Sequence, residues 1–272
     1  MLVAGFVVAL LVDFGLPVAL GVYLHRRFGV SWRFFLYGAL VFAGFQLFTR
    51  IPLVTLLGGL LRPNQLPATY QWAWLAGLAL TAGIFEEVGR YVGYRWLFSA
   101  KERTWDRALM FGVGHGGLEA MGFVGLQVLS SLLTVVALSR VDVGQLNLPE
   151  AQAAQVRALL SLPWWMPLVG AFERVGAMAI QVSLAVVVLQ AFVRGRLAWL
   201  WAAIAYHALV DFASVGASRL LTPAGPVGSS AGGVVAVEGV VAVFALVSVW
   251  LIFALRPQAA WASPSPTSTA DP

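Results

Sequence analysis

Residues 72–98 read WAWLAGLALTAGIFEEVGRYVGYRWLF. A bilayer-spanning helix needs roughly 20 consecutive apolar residues, and this run has the length. Its middle carries two adjacent carboxylates, Glu86 and Glu87, with Arg90 one helical turn on. Ionisable groups inside a bilayer cost free energy and are retained for function. Two further apolar runs carry the same kind of exception. His115 is followed four residues later by Glu119, and His207 four residues later by Asp211.

The rest of the chain makes the membrane setting plain. Of 272 residues, 60% are hydrophobic and only 11% are charged, with mean hydropathy +0.84. Soluble domains carry about 25% charged residues. There is no cysteine, which excludes disulfides and thiolate metal sites. The net charge of +5 comes from arginines beside the apolar runs, and no nucleic-acid partner is expected.

The expected fold is all-α, a polytopic transmembrane helical bundle of about seven spans. They cover residues 2–24, 34–61, 72–98, 108–138, 164–193, 197–217 and 233–255. The first has no basic residue before it and is read as a retained span. One set of alternate connections holds Arg26, Arg27, Arg33, Arg95, Lys101, Arg103, Arg107, Arg194, Arg196 and Arg256. The other holds only Arg62, Arg140, Arg157 and Arg219. The positive-inside rule puts the first set in the cytoplasm, with the N-terminus outside and the C-terminus inside. Residues 1–256 then form one integral membrane domain. Residues 139–163 form an external loop, with an amphipathic helix starting near Pro149-Glu150. Residues 257–272, rich in Pro, Ser and Thr, are expected to be a disordered cytoplasmic tail.

Depth unites the charged groups. At 1.5 Å per residue, Glu86 lies roughly 13 Å from the boundary at Arg95, and His115 roughly 12 Å from Arg107. His207 lies roughly 16 Å from Arg196. Glu86–Arg90, His115–Glu119 and His207–Asp211 each share a helix face. Glu87 points about 100° away from Glu86, so one carboxylate can face a cavity while the other meets Arg90. Gly112, Gly114, Gly116 and Gly117 around His115 read as a bend, as close helix packing, or as both. Asp13 and Arg50 are expected to pair between the first two spans or to serve the cavity. Glu173 and Arg174 are expected to pair locally or to reach Glu119. Glu238 is expected to be wet.

The segments Glu86-Glu87-Val88-Gly89-Arg90, Phe111-x-x-x-His115 and His207-x-x-x-Asp211 resemble the three motifs of the CAAX-protease and bacteriocin-processing superfamily of intramembrane proteases. Gly114-His115-Gly116-Gly117-Leu118-Glu119 and Phe172-Glu173-Arg174 resemble the YhfC-type branch more closely. The superfamily has three residues between the Glu pair and Arg. Here there are two, which is nearer to the PrsW-like branch, where Lys stands instead. The resemblance covers about half of the chain and implies an intramembrane peptidase of the bacterial plasma membrane, acting on a membrane-anchored peptide or protein. It implies catalytic roles for Glu86, Glu87, Arg90, His115, His207 and Asp211, with Glu86 as general base, His115 helping to hold the water, and His207 with Asp211 at the oxyanion, where Asp211 either donates when protonated or instead orients His207. Glu119, Glu173 and Arg174 would support them. The CAAX-protease mechanism that the resemblance implies is glutamate-dependent and needs no metal; the rival chemistry is a zinc site, because Glu86, His115 and His207 match a His/His/carboxylate shell with one open position. The rival readings are a proton-coupled transporter or channel using the same groups, a haem protein with His115 and His207 as axial ligands, and a non-catalytic scaffold.

Overall fold

A computed structural model describes residues 1–222 and 231–257. Among them there are helices and turns and no strand. The long helices are α1 (Leu2–Phe28), α2 (Arg33–Phe42), α3 (Ile51–Leu61), α4 (Ala68–Trp96), α5 (Trp105–Leu118) and α6 (Leu126–Leu138). They continue with α7 (Glu150–Leu160), α8 (Met166–Val193), α9 (Ala198–Leu221) and α10 (Ala231–Ala254). The tail expected from residue 257 falls, from residue 258 on, outside the described residues.

Six helical stretches are long and apolar enough to cross a bilayer: Leu2–Phe28, Arg33–Gln65, Trp105–Leu138, Met166–Val193, Ala198–Leu221 and Ala231–Ala254. The protein is therefore an all-helical integral membrane protein. Helix α4 has 29 residues and so runs about 44 Å, also long enough. What lowers its hydropathy is its own charge: Glu86, Glu87, Arg90 and Arg95 all lie on it.

Helix α8 is the centre of the bundle. It packs on α1, α4, α5, α9 and α10. From Ile180 to Ala191 it is buried, polar Gln181, Ser183 and Gln190 included. Its neighbours approach where side chains are small. Helices α2 and α5 cross backbone to backbone. A Cβ on Gly38 would lie 2.0 Å from the Phe111 carbonyl oxygen, and one on Gly114 would lie 1.9 Å from that of Phe35. On α8, Gly112 meets the Val182 backbone and Gly116 the Gln181 side chain. The glycines around His115 thus serve close packing, and α5 stays regular through Leu118. Of the two expected uses, packing is the one seen there, and the helical irregularity lies further on, at Glu119–Gly125.

The irregularity takes the form of two π-helical segments. Ala43–Arg50 joins α2 to α3, and Glu119–Gly125 joins α5 to α6. A π-turn adds a residue to the helical turn and shifts the side chains beyond it around the axis; such segments concentrate at functional sites. Between α4 and α5, Ser99 and Glu102 form a reciprocal capping box, with the Ser99 amide donating to Glu102 Oε2 at 2.9 Å. That hydrogen bond holds the Glu102 carboxyl below its ordinary pKa and fixes the turn between two helices that carry site residues.

Candidate active site

The three charged runs converge. His115 Nε2 lies 3.0 Å from Glu86 Oε2, joining α5 to α4. His207 Nδ1 lies 2.7 Å from Glu87 Oε1, joining α9 to α4. Arg90 pairs with Glu87, and its Nη2 is 3.6 Å from Glu86 Oε2. The shortened spacing matters here. It makes Arg90 the i+3 neighbour of one carboxylate and the i+4 neighbour of the other, so one guanidinium serves both. A charge buried among helices needs a partner of this kind.

The adjacent carboxylates divide their tasks by direction. Glu86 opens on a cavity of about 200 Å³, room for several waters. Glu87 is turned away from it and is held by Arg90 and His207. The cavity is also lined by Gln46, Arg50, Glu119, Gln181, His207 and Asp211, with Phe42, Ile51, Ala82 and Phe123 as its apolar wall. Both π-helical segments contribute: Gln46 and Arg50 from the first, Glu119 and Phe123 from the second.

His115 is fully buried and does not line this cavity. It stands behind Glu86, its ring edge-on to Phe42 at 5.1 Å between centroids. The expectation that His115 holds the water is thereby changed: its observed contact is with the carboxylate. Asp211 lines the cavity beside His207, and of its two expected roles the geometry bears on the orienting one. Its Oδ2 is 3.8 Å from His207 Nε2, beyond hydrogen-bond range. The carboxylate that orients His207 is Glu87.

Two amides complete the site, and the sequence reading passes over both. Gln46 Nε2 donates to Glu86 Oε1 at 2.9 Å. Gln181 accepts from Arg90 through Oε1, and its Nε2 donates to Glu119 Oε2 at 2.6 Å and reaches Glu86 Oε2 at 3.4 Å. The available signal was a lone amide inside an apolar run, which in a bilayer also needs a partner.

The supporting residues are placed together. Arg174 donates to Glu173 at 2.7 Å and to Glu119 at 3.2 Å, so the local and the distant pairing both occur. Asp13 and Arg50 do not pair. Arg50 donates to Thr81, Gln46 and the Leu78 carbonyl at the cavity edge. Both Asp13 carboxylate oxygens are buried with no hydrogen bond among the described residues. Glu238 is part-buried, with one oxygen in the same condition, so it is not simply wet.

A zinc shell of Glu86, His115 and His207 does not fit this geometry. Among the described residues, no three His, Cys, Asp or Glu side chains are gathered as a metal-holding group. His115 Nε2 is committed to Glu86, and His207 Nδ1 is committed to Glu87. The pairing of both imidazoles with carboxylates is equally unlike an apolar haem site with two axial histidines.

This is an integral membrane protein whose buried carboxylate–imidazole pairs adjoin a polar cavity. The chain belongs to the YhfC family, described as YhfC intramembrane metalloprotease, whose model matches residues 9–222. It is 33% identical over 258 residues to a protein of Bacillus subtilis (strain 168) named "Uncharacterized membrane protein YhfC", covering 90% of this chain and 93% of that one. No solved structure matches.

Proposed function

We propose that this protein is an intramembrane peptidase that hydrolyses a peptide bond of a membrane-associated substrate with a water activated by Glu86. The observation that carries the reading is Glu86 itself. It is a buried carboxylate facing a polar cavity, with His115 fixed behind it. Its family's description as a protease agrees.

Glu86 takes a proton from a water in the cavity, and the resulting hydroxide attacks the substrate carbonyl. Gln46 and His115 hold the two oxygens of the base, one each, so that it keeps one orientation. The oxyanion forms toward His207 Nε2, which faces the cavity side. With Nε2 protonated, and Nδ1 donating to Glu87, His207 is an imidazolium with carboxylates on both sides. It then donates to the oxyanion. Glu86 returns its proton to the leaving amine. Glu87 and Arg90 position His207, while Gln181, Glu119 and Arg174 brace the wall. This reading places the chain in the wider CAAX-protease superfamily and draws no step through a metal ion.

Hydrolysis leaves a signature that transport does not. A pool of internally quenched transmembrane peptides, reconstituted with the protein in liposomes, should be cleaved. In ¹⁸O-water, one ¹⁸O should enter each new carboxyl terminus. A proton flux across the same liposomes with no cleavage would favour the transporter reading.

A further inference from the structure

We propose that the arginine-rich end of the bundle binds one anionic phospholipid. Its phosphate would sit among Arg103, Arg194 and Arg256, and one acyl chain in an apolar groove on the same helices. The pocket has a volume of about 810 Å³ and lies where α1, α5, α8 and α10 end or begin. Three guanidinium groups line it against a single acid, Asp106.

Its donors are largely uncommitted. The Arg256 guanidinium stacks over Trp105 at 5.1 Å and makes no hydrogen bond among the described residues; only the backbone amide is bonded, to Phe253. Arg194 spends only Nε, on Gln190 Oε1 at 3.0 Å, and lies over Trp199 at 4.8 Å. Arg103 is tied by Nε and one amino group to the carbonyls of Tyr94, Arg95 and Phe98. The Thr104 hydroxyl is buried without a partner. A phosphate can accept from all of these. Basic pockets between membrane helices on the cytoplasmic side select anionic head groups for this reason.

The second half of the site is a groove of about 290 Å³, lined among others by Leu20, Leu24, Leu109, Val113, Val182 and Ile252. Its register matches the pocket. Leu24 and Leu109 are each four residues from a pocket residue, Phe28 and Trp105, and Ile252 is three from Leu255. That is about one turn, or roughly 4.5–6 Å along each helix, toward the bilayer centre. A glycerol backbone joins head group to acyl chain over a comparable length. The groove is separate from the catalytic cavity: on α8, Gln181 faces the cavity and Val182 the groove.

The charge selects an anionic head group over a zwitterionic one, and the groove selects a lipid over free phosphate. Titration of the detergent-purified full chain by native mass spectrometry tests both. Dioleoylphosphatidylglycerol should bind with one tight site, and dioleoylphosphatidylcholine at least tenfold more weakly. The double variant Arg194→Gln/Arg256→Gln should weaken the anionic lipid about thirtyfold, equivalent to ~1 kcal/mol per arginine. Ala179→Trp, which fills the groove away from the arginines, should also weaken it. Both variants should keep the wild-type melting temperature in lipid-free detergent. Equal affinity for the two lipids, or unchanged affinity in the double variant, would overturn the proposal. So would glycerol 3-phosphate binding as tightly as the lipid, which would leave a phosphate site without an acyl groove.

Discussion

At the scale of single residues, the adjacent carboxylates show how one helix turns neighbouring groups to two different surroundings. Glu86 and Glu87 differ by about 100° around α4, and the helix sends one to the cavity and the other to Arg90 and His207. Mutation should separate them by readout. Glu87→Gln leaves Arg90 and His207 with a neutral partner and should lower stability by about 3 kcal/mol, as breaking a buried ion pair does. Thermal unfolding in detergent would measure it. Asp211→Asn should cost little activity, since Asp211 is not the group that orients His207. Asp211→Leu should cost more, because it places an apolar chain in a polar cavity wall. Equal losses would show that the Asp211 carboxylate itself is needed. Metal content gives a third test. Protein purified through strong chelator should keep its peptidase activity; one bound zinc whose removal abolishes cleavage would refute a mechanism resting on Glu86 without it. The acidic and imidazole members of the site were legible because each is an expensive exception in an apolar run. Their pairing was not, since spacing along one helix says nothing about which group meets it from another. The i+4 reading therefore gave Asp211 to His207, where the fold gives Glu87. Gln46 and Gln181 went unread because a lone amide is a weaker exception than a charge.

At the scale of elements, glycine and π-turns divide the work of placing the site. The α2–α5 crossing at Gly38 and Gly114 sets His115 against Glu86, and the two π-helical segments turn Gln46, Arg50, Glu119 and Phe123 into the cavity. Gly114→Ala would put a Cβ 1.9 Å from a backbone oxygen. Backbone cannot yield as a flexible side chain can, so the variant should lose about 3 kcal/mol or fail to fold. Gly77→Ala is the control. Nothing lies within 4 Å of its added methyl, and helix propensity alone should stabilise it by up to ~1 kcal/mol. Equal melting temperatures for the two variants would contradict the crossing as described. The glycine cluster was visible in sequence, but its use was ambiguous, because GxxxG packing and a helix bend draw on the same residue. The π-turns left no such mark: their extra residue per turn arises from packing, and periodicity over so few residues does not resolve it.

At the scale of the whole molecule, hydropathy and charge carried most of the information. The helical membrane architecture follows from composition alone. The span count is less direct, since α4, which carries Glu86, Glu87, Arg90 and Arg95, falls outside the six apolar stretches. Orientation rests on ten basic residues against four in alternate connections. It predicts that the α4–α5 turn is cytoplasmic. The chain lacks cysteine, so a single Ala100→Cys probe is unambiguous, and it leaves the Ser99–Glu102 capping box intact. It should resist a membrane-impermeant thiol reagent in intact cells and react after lysis. Labelling in intact cells would invert the topology.

The central claim is that Glu86 activates the water, and the rate of one variant tests it most directly. Wild-type and Glu86→Gln protein, matched in melting temperature and reconstituted in the same liposomes, would be compared for release of fluorescence from the quenched transmembrane peptides. The amide has nearly the carboxylate's shape and keeps one accepting oxygen, for Gln46, but its NH2 cannot take a proton. Cleavage by the variant should therefore fall at least 10³-fold, within the range set by losing a base that contributes about 10²–10⁴. Cleavage by Glu86→Gln within a few-fold of wild type would contradict the account.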